Sequence, residues 1–582
     1  MKIGNRFILS GFLVLMTLLA TMMVTTVTSF AATSINVNGG TSQDLQKAID
    51  EASSGSSISI NGTVTIDQTV RINQNVTLTG SGTLVRGNSF QHTMLYVDCG
   101  SKVTMENITI DGNINIMSTD SAVYIHGARF EMKSGTIKNN NSGGIYNDRG
   151  RFEMSGGVIS ENKAKYGGGV YNCGTFKMTN GIISKNNASH GGGVYNDDIF
   201  ELFNGTISEN EASCGGGVFN QPSKIFEMIG GEILENEALS CGGGIYDDGT
   251  LEMTGGKVSG NKASESGGGI YNYRSFKMTN GEILKNKTEY GGGVYNSGKF
   301  EMTAGTISEN SASSHGGGVY NRVGTFNMIN GTISENKASS HGGGVYNENI
   351  FNMINGKISE NEASSKGGGV FNHKDWYSQF GKFKMIDGTI SENKAECGGG
   401  VYNSDEFEMT AGTISKNKGS LDGGGVYNTG KFKMIAGIIL ENEGSLDGGG
   451  IYNAGKFEMT AGTVSGNKGA LNGGGIYNCA TFDMTGGTVL ENGDPCYTSG
   501  GGVYNKNGAT FIMNNGTISG NRALDGGGIY NGYGTFEMKG GNISSNEVEC
   551  SGGGIYNNKG KVKITDVSAV ITGNSPEDRY GC

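Results

Sequence analysis

Proline is almost missing from this chain, with three residues in 582, and tryptophan occurs once. So little proline excludes a collagen-like triple helix, which needs abundant proline and a glycine at every third position. Clustered basic charge is also missing, and with it the electrostatic footprint of a nucleic-acid partner. A net charge of −11 beside 35% hydrophobic residues is a poor match to a disordered chain. After residue 31 no apolar run approaches the roughly 20 residues that span a bilayer, so no membrane span is expected in the mature chain. Six scattered histidines show no metal-ligand spacing. No calcium-type glycine nonapeptide is matched, and neither metal nor cofactor is expected.

What the chain has is glycine. Its 105 glycines exceed twice the average share of about 7%, and 50 of them fall in one recurring string. Gly-Gly-[Val/Ile]-[Tyr/Phe]-[Asn/Asp] occurs seventeen times, from Gly143–Asn147 to Gly553–Asn557, and sixteen copies carry a third glycine in front. The spacing is 24 to 27 residues, with one period of 31. Such periods mark solenoids, propellers or arrays.

Each period holds three short apolar segments, as in Gly191–Asn196, Phe200-Glu201-Leu202 and Gly205–Asn210. Apolar residues two apart around a Glu or Lys are strand alternation. No helix of ten residues fits between the glycine and asparagine breaks, and propeller blades need about 40 residues. Three strands in about 25 residues predict an all-β fold, a single parallel β-helix. About eighteen to twenty turns at about 4.8 Å each would form a rod of roughly 90 Å.

The columns support stacking. The second segment begins with Phe in sixteen copies and ends with Met in sixteen, which reads as core. An Asn follows the aromatic in sixteen of the seventeen copies, including Asn172, Asn196, Asn220, Asn272 and Asn296, and Asp247 replaces it once. Stacked at turns, these Asn side chains would hydrogen-bond along the axis. The first-segment aromatic is Tyr fifteen times, whereas the Phe column never is. Alternation then points Val or Ile inward and the ring outward or to a rim, with its hydroxyl wet. A continuous aromatic stripe is expected. Tyr295, Tyr320 and Tyr346 are candidate ligand contacts, and ladder stability alone is the competing explanation. The 31-residue period carries an insertion with Trp376 and Tyr377, either a binding loop or neutral drift folded back on the rod.

Three regions are expected. Residues 1–31 read as a secretory signal, with Lys2 and Arg6 ahead of an apolar run and Ser29-Phe30-Ala31 at the cleavage position. Its removal takes the formal charge to −13. Residues 32–142 form an N-terminal cap and irregular first turns, opened by a short helix with Leu45, Ala48, Ile49 and Ala52 on one face. Residues 143–582 are the regular repeats. The expected location is secreted or cell-surface. The nine cysteines do not make a disulfide scaffold. Cys214 and Cys241 both precede Gly-Gly-Gly one repeat apart, and a disulfide or two free thiols are both open.

On the helix Leu45–Ala52, Val76-Thr77-Leu78 and Met105-Glu106-Asn107-Ile108-Thr109, the chain resembles the pectin-lyase-like right-handed parallel β-helix superfamily. Its repeats are similar to those of chlamydial polymorphic outer-membrane proteins, whose Gly-Gly-Ala-[Ile/Leu/Val] and Phe-x-x-Asn compare with Gly168-Gly169-Val170 and Ile207-Ser208-Glu209-Asn210. That family's C-terminal barrel is not expected here. The resemblance implies the right-handed fold and admits two activities. One is an adhesin or structural rod presenting a Tyr-rich face to glycans or to host and surface proteins. The other is a polysaccharide lyase, a glycoside hydrolase or an inactive relative. Of the hydrolase motifs only Asp-Asp occurs, at Asp197-Asp198 and Asp247-Asp248, read as solvated turn acids. Catalysis is not the favoured reading.

Overall fold

The computed structural model describes residues 32–374, 381–496 and 498–582. The expected leader, Trp376 and Tyr377 lie outside the described residues. The chain is an all-β parallel solenoid of about 22 turns and about 25 residues per turn. At about 4.8 Å per turn the rod is roughly 100 Å long.

Each turn repeats the last in register. Val294, Tyr295 and Asn296 pair with Val319, Tyr320 and Asn321. Phe300 and Met302 pair with Phe326 and Met328, and Ile307 pairs with Ile333. Like therefore lies on like, and the inward columns of Val/Ile, Phe, Met and Ile merge into one buried cluster running from Val37 to Ile555. A turn buries about four such side chains, at roughly 1.5–3 kcal/mol each. Ordering its backbone costs at least as much. No turn stands alone, and each is held by its neighbours.

The regular array adds a fourth strand to the three expected. Segments such as Ser311–His315 and Lys394–Cys397 form a separate thirteen-stranded sheet. Its inward residue is Ala in most turns, as at Ala312 and Ala338. One buried alanine leaves too little alternation for the segment to stand out as a strand in the sequence.

Two turn devices close each circuit. The residue before the third-segment Asn is left-handed even when it is not glycine, as at Glu335 with φ 57° and Glu360 with φ 59°. That costs about 1–2 kcal/mol per residue. The glycine triplet meets two different demands, seen at Gly342-Gly343-Gly344. Gly342 has φ +68°, while a Cβ on Gly343 or Gly344 would stand 2.5 or 2.6 Å from a glycine carbonyl oxygen of the next turn.

The first turns are irregular but belong to the same stack. Ser34–Thr41 pairs with Ser56–Ile66, which is why the turns outnumber the glycine strings. A helix over Ser42–Glu51 buries Leu45, Ala48 and Ile49 within the common core. The Thr41 amide donates to the Asp44 carboxylate at 2.8 Å.

Candidate functional site

Strand alternation turns Val inward and sends the neighbouring ring to the opposite side. Those rings form one unbroken stack from Tyr96 to Tyr580. Centroids lie 5.1 Å apart at Tyr295–Tyr320, 4.8 Å at Tyr320–Tyr346 and 4.9 Å at Tyr346–Phe371. Each such offset stack contributes about 0.5–1.5 kcal/mol beyond area burial.

The expected wet rim needs correcting at these rings. Tyr295, Tyr320 and Tyr346 are only 4%, 7% and 5% exposed, and with Phe371 and Tyr402 they form a second apolar cluster outside the main core. The covering comes from the residue just before each glycine triplet. His315 lies 4.7 Å from Tyr346, His341 lies 4.7 Å from Phe371, and the Lys366 ammonium sits 4.9 Å over Tyr402. The hydroxyls are partnered as well. Arg322 Nη1 donates to the Tyr295 oxygen at 3.2 Å, and the Tyr320 hydroxyl donates to Glu348 Oε1 at 2.9 Å. Burial raises both hydroxyls above their ordinary pKa, so both are uncharged at neutral pH. The partners follow the ladder Asn one turn on, a variable position that no column reading singled out. Because neighbouring rings occupy both faces of each ring, a ligand would meet edges and hydroxyls. Partly exposed rings, among them Tyr427, Tyr452, Tyr504 and Tyr530, present them.

Two amide ladders run inside the turns. Asn172, Asn196, Asn220, Asn272 and Asn296 lie in the first, fully buried. Asn172 Nδ2 donates to Asn196 Oδ1, and Asn196 Nδ2 to Asn220 Oδ1, both at 2.8 Å. Asn220 donates to Asp247 Oδ1 at 2.7 Å, and Asn272 to Asn296 at 2.6 Å. The second ladder, of the third-segment Asn residues, runs from Asn140 to Asn574. From Asn162 onward both the backbone N–H and Nδ2 donate to the next Oδ1, as from Asn336 to Asn361, both at 3.0 Å.

The acid pairs separate. Asp197 and Asp248 are turn acids, paired with Lys224 at 3.3 Å and with Arg274 at 2.6 Å. Asp247 is no solvated acid: it occupies a ladder position and is fully buried. The two members of Asp247-Asp248 therefore have opposite environments. Cys214 and Cys241 are register partners and free thiols. The hydrogen bond between them lowers the pKa of Cys214 and raises that of Cys241.

A shallow groove of about 830 Å³ follows the second ladder, lined by residues including Glu335, Glu360, Glu392, Lys394 and Lys418. Ion pairs cross it, Lys337–Glu362 at 3.4 Å and Lys418–Glu443 at 3.3 Å. Among the described residues no cluster of His, Cys, Asp and Glu has the geometry to hold a metal ion. No helix among them is long and apolar enough to cross a membrane.

The chain matches no family model and no curated protein. The parallel solenoid is thus established by its own geometry.

Proposed function

We propose that this protein is a secreted or cell-surface β-helix rod, an adhesin or structural spacer that meets glycans or proteins along its flank. The observation that carries the reading is the unbroken registry of the stack. The same side chains recur turn after turn, and the buried amides are engaged in holding one turn to the next. A surface of this kind offers many equivalent weak contacts, so it suits a repetitive partner through multivalency. The contact surface in this reading is the edge row of Tyr427, Tyr452, Tyr504 and Tyr530. The insertion carrying Trp376 and Tyr377 is a second contact candidate.

The test is binding of the purified rod to immobilised glycan and extracellular-protein panels, with Tyr452→Ala/Tyr504→Ala alongside. Saturable binding weakened at least tenfold in a variant that keeps its circular dichroism supports adhesion. Unchanged binding moves the contact elsewhere, and no binding on either panel leaves the spacer reading. Turnover of an acidic polysaccharide, lost on Asp197→Asn, would replace both with the enzyme reading.

A further inference from the structure

The first amide ladder has a polarity. A typical rung accepts at Oδ1 from the preceding turn and donates through Nδ2 to the following one, as Asn196 does. Asp247 breaks that rule, because a carboxylate accepts and has nothing to donate. It receives Asn220 Nδ2 at 2.7 Å and the Gly249 amide at 3.2 Å, both on Oδ1. Its other oxygen, Oδ2, is buried without a partner. Asn272 is its register partner in the next turn, and Asn272 Oδ1 is also buried without a partner. The only other ladder Asn with an unfilled Oδ1 is Asn147, whose register partner in the preceding turn is Ile125. One unfilled acceptor thus marks the ladder's start, and the other follows the only acid in it.

We propose that Asp247 carries a proton on Oδ2 below neutral pH and donates it to Asn272 Oδ1, which makes the ladder continuous and the junction between these turns a pH-dependent joint. A hydrogen is the smallest change that supplies the missing donor. A metal ion would need several more oxygen ligands than this closed rung offers. Two buried acceptors on register-paired residues of adjacent turns would otherwise each go unsatisfied. The charges nearby do not hold the carboxylate ionised. Asp248 in the same turn opposes ionisation, Arg274 in the next turn is committed to Asp248, and Lys224 in the preceding turn is committed to Asp197. Burial, the largest influence, pushes the Asp247 carboxyl up to about 7, against the opposing hydrogen bonds from Asn220 and Gly249.

The sign follows from linkage. The folded chain holds this proton to higher pH than the unfolded chain, so its contribution is fully present below about pH 4 and is lost as pH rises toward 7. Opening of the joint should rise by up to about tenfold per pH unit across that window and then level off. Asp247→Asn restores the residue that the other copies carry, and the difference between the two proteins cancels the other carboxylates. The experiment is hydrogen exchange of the amides in 245–275 between pH 4.5 and 8, corrected for intrinsic rates. The expected result is protection that falls with pH in the natural chain and stays flat in the variant. Parallel profiles would overturn the proposal. Infrared spectroscopy is independent of the variant's stability. A protonated-carboxylic-acid band should persist in the natural protein at pH 6, and its absence there would also overturn the proposal.

Discussion

The Arg86 guanidinium donates to Asn140 Oδ1 at 2.6 Å, and so opens the second amide ladder. At the far end Asn574 Nδ2 donates to Asp578 Oδ1 at 2.9 Å. A cation thus meets the accepting end of an aligned row of amide dipoles and an anion the donating end, the arrangement that stabilises helix ends. Arg86 is fully buried and also donates to the Gly112 carbonyl at 3.1 Å. Arg86→Met should leave these acceptors short of donors and cost on the order of 2–4 kcal/mol. Chemical denaturation should show it, with early exchange confined to the first turns.

The two aromatic columns should respond unequally to the same atom. Phe326 is fully buried in the core, so Phe326→Tyr places a hydroxyl where no partner stands and should cost about 1–3 kcal/mol. Tyr346→Phe should cost less, about 1 kcal/mol at most, since Phe219 and Phe371 already occupy that column. Thermal melts of the two variants check the contrast.

Gly344→Ala should be among the most damaging single-methyl changes in the protein. The added Cβ would lie 2.6 Å from the Gly369 carbonyl oxygen, which is backbone and cannot rotate away. The expected cost is roughly 2–4 kcal/mol, with the two flanking turns losing hydrogen-exchange protection together.

His341 should make the middle of the rod acid-sensitive. Burial holds its imidazole down to about 4, helped by His315 and Lys366 and, more weakly, by His373. Its ring lies parallel to that of His315 at 5.1 Å. The unfolded chain protonates near the ordinary value of 6.5, so the stability is fully present above that pH and is lost as pH falls toward 4. Other turns carry Ser or Cys at this position, so His341→Ser should fold and lose less melting temperature than the natural chain between pH 6.5 and 4.

Cys214 should be the more reactive of the paired thiols. The Cys241 thiol lowers its pKa, whereas burial raises that of Cys397 in the same column. Iodoacetamide at neutral pH should modify Cys214 faster than Cys397, and Cys241→Ala should slow it. Peptide mass spectrometry reads both rates, and equal rates would contradict the pairing.

The period, the Phe and Met core columns and the buried asparagines are legible in the sequence because each long-range contact here joins two copies of the same residue. Arg86 is not legible: it occurs once, in an irregular turn, and its partner belongs to a ladder that starts 54 residues later. The cover over Tyr320, Tyr346, Phe371 and Tyr402 is equally hidden, since it comes from a column that changes from Tyr290 to His315, His341 and Lys366.

Spacing alone therefore dictates a stack of about 25-residue turns with apolar columns inside, because burial needs only the right side chain at the right interval. The direction in which the ladder amides donate, the occupation of both faces of every ring and the solitary acceptor pair at Asp247 and Asn272 belong to the folded rod. Hydrogen-bond polarity and the exclusion of water depend on what surrounds an atom in three dimensions, and a repeat interval carries no record of either.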